Sequence, residues 1–474
     1  MIAVTIHGVL VAGLEGRVVP IEVQYEPLTN WHALDIQGCN EDQARATRVH
    51  VLAALDSIGH PLGGRVKVVV PKGLDGLDLP IALGCLIAMG VLDAAAIAPV
   101  VAFGDVSLMG ALRPVRGATS RLEAIHASSR IALLPKANVS ETFGGPYYAA
   151  ADLADAVRHL AGGELPSWPD HDRSSSLPGN IPFGGLDFSD VHNNHHARRG
   201  LEIAAVGNHN VLMIGEPGAG KTMLARRMTT ILPPMTPDER RDVTRIHSVA
   251  GILPESGVLH RPFRAPHHSV SEAGLLGGGA PPRPGEVTLA HHGVLLLDEV
   301  PEFRRSVLEG LASALRIKVT NTNLRACGNT VVPVRFPAAP LVLAAMNPCP
   351  GGCVLSRGPC TCPPHVAAYG HRLGAMLPLL PIRLRIPGLT FAEMQHAAAN
   401  TGDSSATIQA RVIAARAFGA ARTGLPLDFS TWKRGCEGLA GPVVTIARTI
   451  ADMDHSWPVL QKHGEEAEAL VTAP

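Results

Sequence analysis

The segment Gly215-Glu216-Pro217-Gly218-Ala219-Gly220-Lys221-Thr222 fits the spacing G-x-x-x-x-G-K-[ST], and its flanks fit as well. Val211-Leu212-Met213-Ile214 before it is a short apolar run with strand propensity, and residues 223–232 after it read as a helix stopped by Pro233-Pro234. A strand, a glycine loop and a helix in that order let backbone N–H groups and a helix N-terminus wrap phosphates. The pattern assigns Gly215, Pro217, Gly218 and Gly220 to the turn, Lys221 to the β- and γ-phosphates of ATP, and the Thr222 hydroxyl to Mg²⁺.

Two later stretches supply the remaining chemistry of such a site. Val294-Leu295-Leu296-Leu297-Asp298-Glu299 is a buried apolar strand ending in two carboxylates. Asp298 falls beside the Mg²⁺ and Glu299 where it can polarise an attacking water. A third apolar strand, 341–346, ends at Asn347, whose amide is placed to sense the γ-phosphate and orient that water. Lys221, Glu299 and Asn347 are therefore the expected catalytic residues.

At 474 residues the chain has room for two or three domains. Charged residues make up 17%, while 49 glycines and 39 prolines indicate a globular, loop-rich protein of small side chains. A net charge of zero excludes a global basic field for nucleic acid, though a local patch stays open. The apolar opening 1–11 lacks a basic start, and no 18 apolar residues run uninterrupted, so a soluble, cytoplasmic protein with no membrane partner is expected. Eight cysteines spread over this length do not form a disulfide scaffold. Four of them, Cys349, Cys353, Cys360 and Cys362, fall within fourteen residues and suit a small Cys₄ zinc loop, with reduced thiols in a Gly/Pro-rich loop as the alternative.

Strand and helix signals alternate through residues 1–163. Val19, Ile21, Val23 and Tyr25 alternate with polar neighbours, Asn40 caps a helix through Ile58, 66–70 is a strand, and Asp78 opens an apolar helix ending near Gly90. Residues 164–185, with four prolines and Ser174-Ser175-Ser176, read as a linker. An α/β core follows over 186–389, and a helical segment over 390–474, with helices predicted at 391–400, 405–419 and 443–453. The polar run 192–196, rich in histidine, reads as a solvated loop, with metal binding as the alternative.

Four phrases carry a resemblance to a known family. They are Asp78-Leu79-Pro80-Ile81-Ala82, the run 104–115 (GDVSLMGALRPV), the run 261–269 (RPFRAPHHS) and Ile446-Ala447-Arg448-Thr449-Ile450-Ala451-Asp452. Together they resemble the YifB/ComM proteins, bacterial magnesium-chelatase-like AAA+ ATPases. The resemblance implies an α/β P-loop AAA+ core, a parallel sheet flanked by helices, with a Lon-protease-like α+β domain before it and a C-terminal helical lid after it. It also implies a homo-hexameric ring that couples ATP turnover to movement on DNA, as in branch migration during recombination or transformation. The phrase 261–269 resembles an insert that projects towards the ring pore; by its residues alone it is a basic, imidazole-rich loop able to meet an anionic polymer. A magnesium-chelatase motor subunit is the rival enzyme reading, disfavoured by the N-terminal domain. No serine nucleophile lies in the loop 72–77, so peptidase chemistry is not expected.

The chain departs from the family pattern where arginines belong. Alignment puts Leu379 at the arginine that acts in trans on a neighbour's γ-phosphate, with Arg383 or Arg385 as alternatives that could substitute, the lid arginine falls near Gly438 with Gly441-Pro442 interrupting the same helix, and Ala312-Ser313-Ala314 replaces another. The run 192–196 also stands where the family has a glycine-glutamine pair near the base. ATP and Mg²⁺ binding are expected to survive these changes and fast hydrolysis is not, since an arginine finger is worth about 10³–10⁵ in rate. A regulatory or degenerate ATP-binding homologue is the third reading.

Overall fold

The computed structural model describes residues 1–27, 33–71, 73–142, 144–163, 166–167, 185–191, 194–254, 257–279, 282–325, 331–351, 353, 362, 364–388, 402–422 and 441–472. It is an α/β structure whose largest sheet is parallel and flanked by helices.

The amino-terminal part opens with the strands Ile2–Ala12 and Glu15–Pro27, joined as a hairpin through Gly13 in the left-handed region. The sheet is completed by Gly64–Val69 and Ala33–Gln37. The alternation at Ile21 and Val23 places both side chains wholly inside, as the period of two requires. The helix Glu41–Ser57 begins where expected: the Asn40 side chain accepts the Gln43 N–H at 2.8 Å and so satisfies one of the orphan donors of the first turn. The next helix, Asp78–Ala88, is buried on every side, which matches its nearly unbroken apolar sequence. Arg121, fully buried, ties the loop after Val70 down through Asp75 at 2.6 Å and also donates to the Val9 carbonyl.

The central sheet has five parallel strands in the order Phe263–Arg264, Val294–Leu297, Leu341–Met346, Val211–Gly215, Ile382–Ile386. The middle strands are fully buried runs of Val, Leu, Met and Ala, the pattern of a parallel sheet covered on both faces. One face meets the helices His195–Gly207, Lys221–Ile231, Ser405–Ala421 and Gly441–Met453, and the other meets Arg305–Ile317 and the segment Pro364–Leu379. Gly441 and Pro442 are themselves helical and do not interrupt Gly441–Met453. The predicted helix at 391–400, Gly438 and most of the predicted linker lie outside the described residues; within the linker stretch, Ser167 exchanges two backbone hydrogen bonds with Tyr147.

The amino-terminal part docks directly on the region of the central sheet. Leu14, at the hairpin tip, is buried in a cluster with Ile246, Leu289, Val334 and Phe336. Beside it, Glu141 is buried and accepts from the Thr119 N–H and hydroxyl, the Asn138 amide and the Ser248 hydroxyl. Ser248 lies on the helix Pro237–Ala250, which also sends Arg245 to Glu123 at 3.4 Å. Among the described helices none is long and apolar enough to cross a membrane.

Candidate functional site

Three parallel strands end at one edge of the central sheet, and each delivers a predicted residue there. The strand Val211–Gly215 runs into the glycine loop, Val294–Leu297 into Asp298 and Glu299, and Leu341–Met346 into Asn347. Ligand sites in open parallel sheets form beyond such carboxyl ends, where adjacent strands diverge to their crossovers.

The loop's glycines have local causes. A Cβ at Gly215 would lie 2.4 Å from the Ile386 carbonyl oxygen of the neighbouring strand, so only glycine permits that pairing. Gly218 and Gly220 have φ of 80° and 90°, the left-handed region that turns the chain back onto the helix. The helix Lys221–Ile231 starts at the motif lysine, slightly before the expected 223, so its first turn points its free N–H groups at the loop. Pro217 and Gly218 form the exposed rim.

Lys221 is buried, and its ammonium donates to the Gly215 carbonyl at 2.7 Å, the Glu216 carbonyl at 2.9 Å and Asn347 Oδ1 at 3.1 Å. Burial lowers its pKa, while the carboxylates of Asp298 and Glu299 oppose that fall. Thr222 Oγ1 donates to Asp298 Oδ2 at 2.8 Å, so the two groups assigned to Mg²⁺ already face each other. A hydroxyl and a carboxylate oxygen at that separation are a hard-oxygen donor pair suited to Mg²⁺. Glu299 sits at φ 50°, ψ 45°, a strained conformation for a non-glycine residue, and its half-exposed carboxylate stands 3.5 Å from His268 Nδ1.

The segment 261–269 is less available than its sequence suggests. Arg261 donates to Glu239, to the carbonyls of Pro233 and Pro234 and to that of His292. Arg264 makes a bidentate pair with Glu286 at 2.5 and 2.7 Å. Both guanidinium groups thus serve the fold, and the side chain of this segment that reaches the candidate site is His268, whose ring is tilted against that of His267 with centroids 4.0 Å apart.

Leu379 ends the segment Pro364–Leu379 as a half-buried apolar side chain packed on the core between the sheet and Arg305–Ile317, and its carbonyl accepts the Asn210 amide at 2.9 Å. Ala312 and Ala314 are buried on the sheet-facing side of Arg305–Ile317. Of the four clustered cysteines, Cys349, Cys353 and Cys362 converge with their sulfurs within 4.8 Å of one another, Cys353 Sγ and Cys362 Sγ being 3.5 Å apart; Cys360 lies outside the described residues. Three thiols at that spacing fit a zinc ion in chemistry and reach. His195 and His196 open a helix on its exposed side and belong to neither of the two metal-ligand groupings found among the described residues. The second grouping, Asp242, His291 and His292, was not visible in the sequence; its carboxylate is paired with Arg245, and His291 Nδ1 accepts the Ala339 N–H at 3.1 Å.

The family model of the magnesium chelatase subunit ChlI matches residues 187–394, a span that contains Lys221, Thr222, Asp298, Glu299 and Asn347. The chain is 34% identical to the competence protein ComM of Haemophilus influenzae over 433 residues, 84% of this chain and 82% of that one. It is 32% identical to the uncharacterized protein YifB of Escherichia coli over 483 residues, covering 94% of this chain and 93% of the other. An uncharacterized protein of Mycobacterium tuberculosis is 34% identical over 445 residues, 87% of this chain and 82% of its own length.

Proposed function

Because the chain belongs to the YifB/ComM family of magnesium-chelatase-like AAA+ proteins, we propose that it binds Mg·ATP at Lys221, Thr222 and Asp298 and hydrolyses it with Glu299 and Asn347. The observation that carries this reading is the meeting of Lys221, Thr222, Asp298 and Asn347 at the ends of three strands.

ATP and Mg²⁺ are the groups this family and this donor set suit; Mg²⁺ supplies charge neutralisation on the β- and γ-phosphates when bound. The chain's own part is then clear. The glycine loop and the first turn of Lys221–Ile231 bind phosphate oxygens through N–H groups. The Lys221 ammonium leaves the Gly215 and Glu216 carbonyls for the phosphates, and Asn347 holds its other side. Glu299 accepts a proton from water as the water's oxygen attacks the γ-phosphorus and the bond to the ADP oxygen breaks.

The rest of the reading follows the kinship with a competence protein. It is a homo-hexameric ring ATPase working on single-stranded or branched DNA in recombination or transformation, with an N-terminal Lon-like domain (1–163), a linker (164–185), an ATPase core (186–389) and a helical lid (390–474) in the cytoplasm. The test is ATPase activity with and without four-way DNA, Lys221→Ala serving as the blank. Turnover stimulated by branched DNA is the expected result; no stimulation together with no binding of forked or four-way DNA ends the DNA reading.

One observation favours a second reading. Leu379, which alignment puts at the arginine that acts in trans, is a packed apolar side chain. An ATP-binding regulatory homologue with little turnover would show tight nucleotide binding and a rate at the Lys221→Ala blank, even at concentrations where the ring forms.

A further inference from the structure

The cysteine loop brings two half-buried thiols into contact. Cys353 Sγ and Cys362 Sγ are 3.5 Å apart. Cys349 differs from both: it is buried, and its sulfur accepts the Cys353 N–H at 3.2 Å. All three sulfurs lie within 4.8 Å of one another, but Cys353 and Cys362 are the two that join mutual contact to partial exposure, so a dissolved reagent can reach them.

The backbone beneath the pair is glycine. A Cβ at Gly351 would lie 2.6 Å from Cys362 Sγ and 3.7 Å from Cys353 Sγ, so a larger residue there would push into the first sulfur. Bonded sulfurs stand about 2.05 Å apart, and the gap of 3.5 Å closes with a shift of roughly 1.5 Å shared between the two side chains. Eight residues lie between the two cysteines, a short loop whose closure costs little chain entropy. The same segment leaves the central sheet at the candidate site: Asn347, which holds Lys221, stands two residues before Cys349.

We propose that Cys353 and Cys362 form a redox modification site, closing to a reversible disulfide when a small disulfide oxidant such as glutathione disulfide reaches them. One thiolate attacks a sulfur of glutathione disulfide, giving a mixed disulfide and one glutathione thiolate. The second thiolate attacks the protein sulfur of that mixed disulfide and expels the other glutathione. The two protein thiols lose two electrons, glutathione disulfide gains them, and the two thiol protons end on the two glutathione molecules. On balance one S–S bond breaks and one forms. The product withdraws two of the three converging thiols that fit zinc, so closure and metal retention exclude each other. Zinc release depends on the cluster holding the ion; the disulfide forms without it.

The experiment exposes full-length wild type, Cys349→Ser and Cys360→Ser to millimolar glutathione disulfide, blocks the remaining thiols with N-ethylmaleimide and maps linked peptides by mass spectrometry. A chromogenic chelator counts the zinc set free in the same samples. A link between Cys353 and Cys362 is expected in most chains, reversed by dithiothreitol and retained in both variants, with released zinc rising one for one with the link. No link, a mixed disulfide with glutathione that persists, or a link running through Cys349 or Cys360 overturns the proposal. Zinc kept in full by linked chains overturns the exclusion of one state by the other. Linked chains in protein that carried no zinc at the outset end the zinc reading and leave the disulfide standing.

Discussion

Lys221 and Asn347 meet at 3.1 Å although 126 residues separate them, because the strands that end in each are neighbours in the central sheet. The lysine also covers two loop carbonyls, so one ammonium ties the glycine loop to the end of a second strand. On the proposed reading, ATP would draw the ammonium from the two loop carbonyls to phosphate oxygens while Asn347 keeps its contact.

Lys221→Ala should therefore weaken ATP binding more than it weakens the fold. A hydrogen bond to a charged group contributes about 1.5–3 kcal/mol, which corresponds to roughly a tenfold to hundredfold loss of affinity. Asn347→Ala should leave affinity within a few-fold and lower kcat about a hundredfold. Isothermal titration with ATP, alongside turnover measurements, separates the two outcomes.

Glu141 offers a stability test away from the nucleotide. It accepts from the Thr119 N–H and hydroxyl, the Asn138 amide and the Ser248 hydroxyl, all buried. Glu141→Ala removes the acceptor common to four donors and should cost on the order of 2–4 kcal/mol, while Glu141→Gln keeps one carbonyl acceptor and should cost less. Thermal denaturation of the two variants gives the order; equal melting points would contradict it.

Acid should loosen the carboxyl-terminal helices. His209 lies 2.8 Å through Nε2 from the Thr449 hydroxyl, and burial pushes its pKa down to about 4. Burial, followed by the neighbouring His292, brings His291 to about 4 as well. Between pH 6.5 and 4 the unfolded chain binds the proton that the folded chain refuses, so stability falls as pH drops through that window and levels off below it. The loss should be on the order of 1–3 kcal/mol, and His209→Asn should flatten the urea midpoint against pH. A midpoint independent of pH from 7 to 4.5 would contradict this.

Zinc is expected at the thiols. Protein purified under reducing conditions should carry about one zinc per chain, lost in Cys353→Ser, since Cys349, Cys353 and Cys362 already converge. Metal analysis near zero on undamaged protein would remove the assignment.

The convergence of the candidate site residues was legible because its parts are local. Glycine spacing, an apolar strand and a helix start all fall within the run 211–232, and the ends of 294–297 and 341–346 announce themselves by the switch from apolar to polar. The Asn40 cap was readable for the same reason. What the sequence hid depends on pairs brought together by topology. Arg261 and Arg264 read as a basic loop until Glu239 and Glu286, each 22 residues away, are seen to neutralise them. The approach of His268 to Glu299 needed the strand register, and the Glu141 network needed the docking of the first part of the chain on the helix Pro237–Ala250.

That docking has a mechanical consequence at Leu14. A hairpin tip seated among Ile246, Leu289, Val334 and Phe336, with Gly13 so close that a Cβ there would lie 2.4 Å from Val334 Cγ1, leaves no slack between the first strands and the residues they dock on. Any tilt of the helix Pro237–Ala250 would then be carried outward along two strands, of 11 and 13 residues, as along a stiff lever with its fulcrum at the hairpin turn.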